Sequence, residues 1–397
     1  MNAIVAPFQA ILYSQKNRKN ISQLAIADLD SAQHLWGDVD SSLAFRNVLM
    51  GPVQQRGEIW QAWLSAKETE LLEDPAYFIV NHQTETPAGK VNRWSLLASI
   101  DIMSGDVLIH EDVFSEGVER ARQSMETCEG DLAPIFVGTA DTTGKKLRGL
   151  LQNCAKECES VLKYREGALA MHQVWICKNK EWMQKISTIF QEEKIFLLDG
   201  HHRLAAAREN FKKGLGDGRL MASICSMELE DTLILPIHRS IYYEKWILPD
   251  RFYADLSAMG CKWKELSHWK PEQLPELLRN LKRDSLTFLA LHSNTNILFE
   301  VSLPKAPALP APLQDLAIAN FEILFSKKIP KATIFPVSEE RVVLEQLAID
   351  QAQVGIFLPP IRADQVRVVA LAGIKMPKKS TRFVPKPALG LVCRPWT

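Results

Sequence analysis

The sequence predicts an α/β (mixed α+β) protein, and three observations carry that expectation. Between residues 172 and 225, short apolar runs alternate with helical patterns. Within that region, Ile195-Phe196-Leu197-Leu198 breaks off into Asp199-Gly200-His201-His202-Arg203, and the Ala-rich run after it reads as helix. The first hundred residues, finally, mix one amphipathic helical stretch with β-rich runs separated by Pro and Gly.

In chain order, Trp60, Trp63 and Leu64, then Leu71 and Leu72, recur at helical spacing and predict an amphipathic helix that Asp74-Pro75 ends. Strands are expected at 77–80 and 94–100, with the turn Thr86-Pro87-Ala88-Gly89 before the second. Residues 114–130 and 145–163 predict helices. His172-Gln173-Val174-Trp175-Ile176-Cys177 predicts a strand. The segment 181–192 predicts a helix with Met183, Ile186, Ile189 and Phe190 on one side. Next come a strand at 195–198, a helix at 201–213 closed by Gly214, and a strand at 221–225. Further strands are expected at 287–291 and 297–299. The run Pro304-Lys305-Ala306-Pro307-Ala308-Leu309-Pro310-Ala311-Pro312 predicts an extended, semi-rigid loop.

Composition narrows the functional classes. The chain of 397 residues is long enough for a large core and for two or three domains. Hydrophobic residues at 46% and charged residues at 24% are the profile of a soluble globular protein. The 47 basic and 47 acidic residues cancel, which argues against bulk nucleic acid as the main partner. A local basic pocket for a small phosphate compound stays open. No apolar run has transmembrane length. Met1-Asn2-Ala3-Ile4-Val5-Ala6-Pro7-Phe8 lacks the basic-then-apolar order of a signal peptide, so a cytoplasmic protein without a membrane partner is expected. Seven thinly spread cysteines fit reduced thiols better than a disulfide framework. Cys154 and Cys158 lie four apart on a predicted helix, but no Cys-x-x-Cys or second pair completes a zinc set, so they read as packing residues.

The chemistry concentrates at the Asp-Gly-His-His-Arg junction. Gly200 permits a tight turn and close approach of a ligand. His201, His202 and Arg203 fall in the first helical turn, where backbone N–H groups lack internal partners and the helix carries about +0.5 charge. A phosphate suits such a place. The plain alternative is a solvated junction with Asp199 as N-cap. Adjacent histidines on a helix point about 100° apart, and no His-Glu-x-x-His occurs, so no dedicated metal site is expected. Magnesium carried in with a nucleotide needs only one or two carboxylates. No Gly-x-x-x-x-Gly-Lys-(Ser/Thr) loop is present. Ser380 and Thr381 sit among Lys378, Lys379, Arg382 and Lys386, which is either a phosphate-binding set or a solvated basic tail.

Asp199-Gly200-His201-His202-Arg203 resembles the signature of domain-of-unknown-function family 1015, which is similar to the free serine kinase of the ParB and sulfiredoxin-like superfamily. Gly105-Asp106-Val107-Leu108-Ile109-His110-Glu111 resembles that family's strand ending in His-Glu. Leu235-Pro236-Ile237-His238-Arg239 resembles its Leu-Pro-Thr-His-Arg. Met376-Pro377-Lys378-Lys379-Ser380-Thr381-Arg382-Phe383-Val384-Pro385-Lys386, with Gly390-Leu391-Val392, resembles its tail. These stretches run in family order from about residue 90 to the end. The family's N-terminal Pro-Pro-Tyr-Asp-Val is absent: His34-Leu35-Trp36-Gly37-Asp38-Val39-Asp40 keeps only an Asp-Val pair. Ser42-Leu43-Ala44-Phe45-Arg46-Asn47-Val48 nevertheless resembles the family's next stretch.

The resemblance implies an N-terminal mixed α/β portion at 1–164 and a ParB-like unit at 165–245 with the signature at a strand-to-helix junction. It implies a C-terminal α/β portion at 246–397 that carries the Pro-rich loop 304–312 and the basic tail. It implies a nucleotide-phosphate-binding protein, a small-molecule phosphotransferase acting on a hydroxyl such as that of serine, with ATP or ADP and Mg as cofactors. Asp199, Gly200, His201, His202, Arg203, His238, Arg239, Lys379, Ser380 and Thr381 are the expected phosphate ligands. Glu111 is the expected base, and His202 the group that meets transition-state charge. Two alternatives stand beside it: a phosphohydrolase using the same pocket, and a nucleotide-sensing or partner-binding protein without turnover, which the absent N-terminal segment favours. The oligomeric state is left open.

Overall fold

The structure is a computed structural model that describes residues 4–26, 42–86, 89–140, 145–166, 170–191, 193–227, 232–281, 286–295, 297–328 and 332–396. The segment 34–40, the N-terminal residues 1–3 and the turn residues 87–88 lie outside them. The fold is mixed α/β. The chain divides into two compact units, one of residues 1–109, 113–233 and 383–397, the other of residues 110–112 and 234–382. The portions read from the sequence end at 164 and 245. Among the described residues, no helix is long and apolar enough to cross a membrane.

The first unit is built on one large sheet. Across it, the strands run Val107–Leu108, Ile195–Asp199, Ile135–Thr139, Arg219–Ser226, Gly89–Asp101, Tyr77–Thr86, Ala170–Cys177 and Glu159–Glu166, and Val5–Ala6 also pairs with Gly89–Asp101. Ile195–Asp199 is parallel to Val107–Leu108, and Arg219–Ser226 is parallel to Ile135–Thr139; the other pairs are antiparallel. Side chains alternate between two cores: Phe78, Leu97 and Val174 pack into one, and Tyr77, Ile79, Leu96 and Ala98 into the other. The second core is covered by helices Ser115–Cys128, Lys145–Glu157, Lys180–Ile189 and His201–Lys212, which bury Val118, Leu151, Ile186 and Leu204. The first core takes Trp60 and Trp63 from helix Val53–Ser65, and Leu389, Leu391, Val392 and Cys393 from the chain's end. Each such buried side chain stabilises by roughly 1.5–3 kcal/mol.

Two predicted helices are shorter than expected. The first stops at Ser65, because Lys67 adopts a left-handed φ of 55°. Thr69–Leu71 is then a strand paired with Ile11–Tyr13, so Leu71 does not continue the helical face. The second stops at Glu157, and Glu159–Glu166 is a strand on the sheet edge beside Ala170–Cys177. Leu162 and Tyr164, both buried two residues apart, carry the period of a strand and not of a helix. The expected glycine end of the signature helix is present: Gly214 has φ 80°, Gly214 N–H donates to Phe211 O at 2.9 Å, and Leu215 N–H to Asn210 O at 2.9 Å.

The second unit holds an antiparallel sheet in the order Lys262–Leu266, Leu298–Ser302, Thr287–His292, Val354–Phe357, His238–Tyr243, Ala332–Val337. Leu274, Leu289, Leu298, Val343, Leu347 and Phe357 belong to its core. The Pro-rich run is not extended throughout: it turns at 307–309, where Leu309 N–H donates to Ala306 O at 3.1 Å, and enters helix Ala311–Gln314. Buried Asn320 ties it down, accepting from Ala306 N–H at 2.7 Å and donating to Leu316 O at 2.9 Å.

Candidate functional site

The signature junction lies wholly in the first unit. Strand Ile195–Asp199 pairs with Ile135–Thr139 through a register shift between Leu197 and Asp199, an irregularity that re-aims the side chains at the strand's end. Gly200, next in the chain, has φ 95° and is the N-cap of helix His201–Lys212, without a side-chain cap. Asp199 is therefore not the N-cap. Its carboxylate instead accepts from Arg203 Nη2 at 3.0 Å, one helical turn on, and faces Lys386 Nζ at 3.6 Å. Arg203 Nη1 donates to Pro134 O at 2.6 Å, at the entrance to strand Ile135–Thr139. Burial lowers the Arg203 pKa, and the charge of Asp199 opposes that shift. His202 Nε2 accepts from Phe114 N–H at 3.1 Å and its ring stacks on Phe114. His201 is half-buried beside it.

Lys386 is placed by a residue that the sequence did not single out. Arg93, 2% exposed on strand Gly89–Asp101, donates through Nη1 to Pro385 O and through Nη2 to Lys386 O at 3.2 Å. Its guanidinium lies over the Phe136 ring at 4.7 Å from the centroid. Beside it, His82 is pushed well below the usual histidine range by burial, then by His172 and by Arg93 itself. Arg93 thus fixes the backbone at 385–386, and that backbone sets the ammonium of Lys386 against Asp199. The result is a carboxylate between two cations at the start of a 12-residue helix.

The remaining sequence-predicted residues gather in the second unit, around the turn 377–381. The two oxygens of Glu111 accept from Lys379 N–H at 2.8 Å and Ser380 N–H at 3.1 Å. Lys379 has φ 58°, and Ser380 Oγ donates to Pro377 O at 2.6 Å, so the turn is tightly specified. Burial raises the Glu111 pKa, and the amides of Lys379 and Ser380 act against it. Thr381 Oγ1 lies 3.1 Å from Nε2 of fully buried His110. The expected strand through His110 and Glu111 is only Val107–Leu108; Glu111 makes an isolated bridge to Met376.

Arg239 braces the same turn. It is 1% exposed, and both Nε and Nη2 donate to Glu322 Oε1, at 2.9 and 2.7 Å. Nη1 donates to Ile237 O and His238 O, and Nη2 also reaches Lys379 O at 3.1 Å. Every arm of the guanidinium is thereby engaged inside the protein. His238 Nδ1 accepts from Leu358 N–H at 3.2 Å, and its Nε2 lies 3.4 Å from Glu340, whose pKa this contact lowers. The site residues thus fall into two sets. Asp199, Gly200, His201, His202 and Arg203 belong to one unit, and Glu111, His238, Arg239, Lys379, Ser380 and Thr381 to the other. Lys386 was visible only as part of the tail that resembles the family's; nothing in the sequence marked Arg93.

A family model described as "Protein of unknown function (DUF1015)" matches residues 44–305. No curated protein matches the chain. Among solved structures, the free serine kinase in complex with AMP is similar at 14% identity and a TM-score of 0.40, over 72% of this chain and 87% of that one. A conserved hypothetical protein from Pyrococcus furiosus is similar at 11% identity and a TM-score of 0.40, over 73% and 92%. SbnI with C-terminal truncation from Staphylococcus aureus is similar at 12% identity and a TM-score of 0.38, over 72% and 82%.

Proposed function

The chain belongs to the DUF1015 family of proteins of unknown function, and from that premise we propose that it binds a nucleotide through its phosphates and transfers a phosphoryl group to the hydroxyl of a small molecule such as serine. The observation that carries the binding half is the junction at 199–203: Asp199 held between Arg203 and Lys386 at the N-terminus of a 12-residue helix. Phosphoryl transfer asks mainly for positioning and cations, and little covalent chemistry. A polyphosphate would meet helix N–H groups, Lys386 and the His201-His202 pair there, and would take over from Asp199 the charge that now balances Arg203.

Magnesium is assigned to the nucleotide's phosphates. Both oxygens of Asp199 face cations, and both of Glu111 accept backbone amides, so neither carboxylate is assigned the ion. Glu111 keeps the role of base in this proposal, and its raised pKa suits a group that must accept a proton.

Calorimetry with ATP and ADP, with and without Mg, tests binding. Wild type should bind, and Arg203→Ala should weaken binding by about tenfold to a hundredfold, the worth of a charged hydrogen bond of roughly 1.5–3 kcal/mol. No binding by the wild type rejects the reading. Labelled nucleotide with serine then tests turnover. Label on the amino acid supports transfer, label in free phosphate marks a hydrolase, and binding without either marks a sensor. Glu111→Gln should abolish turnover and leave nucleotide affinity nearly unchanged. If turnover survives Glu111→Gln, the base assignment is wrong.

A further inference from the structure

Outside these sites, the first unit brings three thiols to one point. Cys154 lies on helix Lys145–Glu157, Cys158 is the residue directly after that helix, and Cys177 ends strand Ala170–Cys177. Cys154 Sγ is 3.5 Å from both Cys158 Sγ and Cys177 Sγ, and all three sulfurs lie within 4.8 Å of one another. Cys154 and Cys177 are fully buried, whereas Cys158 is half-buried and leaves the cluster open on one side.

From this geometry we propose that Cys154, Cys158 and Cys177 form a binding site for a thiophilic metal ion of the zinc class, with three protein thiolates and a fourth position left to solvent or a small ligand. At a Zn–S distance of about 2.3 Å, tetrahedral sulfurs stand about 3.8 Å apart, close to the spacing found here. The spacing does not describe a disulfide, whose sulfurs bond at about 2.05 Å. A pairing of any two would also strand the third. The sequence spacing hides the site, because two ligands are four apart at the end of a helix and the third arrives from a neighbouring strand.

The polar contacts around Cys177 suit a metal ligand. Cys177 accepts hydrogen bonds from the Cys154 thiol, at 3.5 Å, and from the backbone N–H of Asn179. That amide is the kind of outer contact that orients a metal ligand. Asn179 is also the N-cap of helix Lys180–Ile189, whose positive end favours a thiolate nearby. On binding, the metal would displace the thiol protons to solvent, so uptake should release protons. The ion would then join the end of helix Lys145–Glu157 to the end of strand Ala170–Cys177.

Cobalt titration of the full-length chain, reduced and freed of metal by chelation, tests the site. One equivalent of Co²⁺ should give thiolate-to-cobalt charge transfer in the near ultraviolet and the visible bands of a four-coordinate ion, and Zn²⁺ should displace it. Cys158→Ser, at the open edge where folding is least at risk, should weaken Zn²⁺ binding by more than about 100-fold, beyond the usual cost of losing an outer contact. Cys261→Ser, in the other unit, should change nothing. A circular-dichroism spectrum identical to wild type confirms that Cys158→Ser folds. Absent charge transfer in the reduced wild type overturns the proposal, as does equal cobalt binding by wild type and Cys158→Ser.

Discussion

Gly200 shows how little freedom the signature leaves a single residue. Its φ of 95° would strain any side chain, and a Cβ there would stand 2.7 Å from Ile135 Cγ2. Gly200→Ala should therefore destabilise the fold by at least about 1–2 kcal/mol, the left-handed cost alone. Urea unfolding measures it, and an unchanged midpoint would show that the junction relaxes at no cost. Glu111 makes a second prediction at this scale. Its folded pKa lies above the unfolded value of about 4.3. The folded protein therefore holds more protons in the window above that value, and stability falls as pH rises through it. Stability from this group is fully present below the unfolded pKa and lost above the folded one. Unfolding free energies of wild type and Glu111→Gln, measured from pH 4 to pH 7.5, should diverge so that wild type loses ground as pH rises. A constant difference would mean that Glu111 titrates normally.

Elements meet the site through close packing, and helix Ser115–Cys128 is the clearest case. A Cβ on Gly117 would run into the His202 ring, reaching Nε2 at 2.7 Å. Gly to Ala inside a helix ordinarily stabilises by up to about 1 kcal/mol. Here the sign should reverse, because overpacking a tight contact costs roughly 1–3 kcal/mol and the bond from Phe114 N–H to His202 is lost with it. Gly117→Ala should lower the melting temperature, and adding His202→Ala should recover most of the loss. No recovery in the double variant would place the clash elsewhere. The same contrast explains what was legible in the sequence. Ile195–Asp199 and Arg219–Ser226 are buried on both faces and read as apolar runs between turn residues. Glu159–Glu166 was hidden, because Glu159, Lys163 and Arg165 interrupt an edge strand in which Leu162 and Tyr164 are the fully buried residues among those described. At the site, local order was legible: the strand, Gly200 and the helix are contiguous. Partners distant in sequence were not. Nothing near Asp199 announces Lys386, nothing near Glu111 announces the amides of 379–380, and nothing near Arg239, expected as a phosphate ligand, announces Glu322.

At the scale of the whole molecule, the first unit is discontinuous: the chain leaves it after residue 233 and supplies residues 383–397 on return. Its closure rests on a buried charge. Asp131, 1% exposed, accepts from Arg394 Nη1 at 2.9 Å, from Met221 N–H at 2.9 Å and from Trp396 Nε1 at 3.2 Å. Arg394 also pairs with Asp217, and strand Arg394–Pro395 lies antiparallel to Gly130–Asp131. Burial raises the Asp131 pKa, and Arg394 is the strongest of the groups that oppose the shift. Removing one partner of such a pair costs roughly 3–5 kcal/mol, because the other is left buried and uncompensated. Arg394→Ala should therefore lower the unfolding free energy by that amount, whereas Asp131→Asn with Arg394→Met, which removes both charges and keeps the volume, should recover a large part of it. Deleting residues 383–397 should be worse than either, since it also strips Leu389, Leu391, Val392 and Cys393 from the core and takes away Lys386. Denaturant unfolding of the point variants and the solubility of the truncated chain check the series. If the double substitution is as damaging as Arg394→Ala, the tail is held by its packing and not by the ion pair. If the truncated chain folds cooperatively with an unchanged midpoint, the first unit is complete without its returning end.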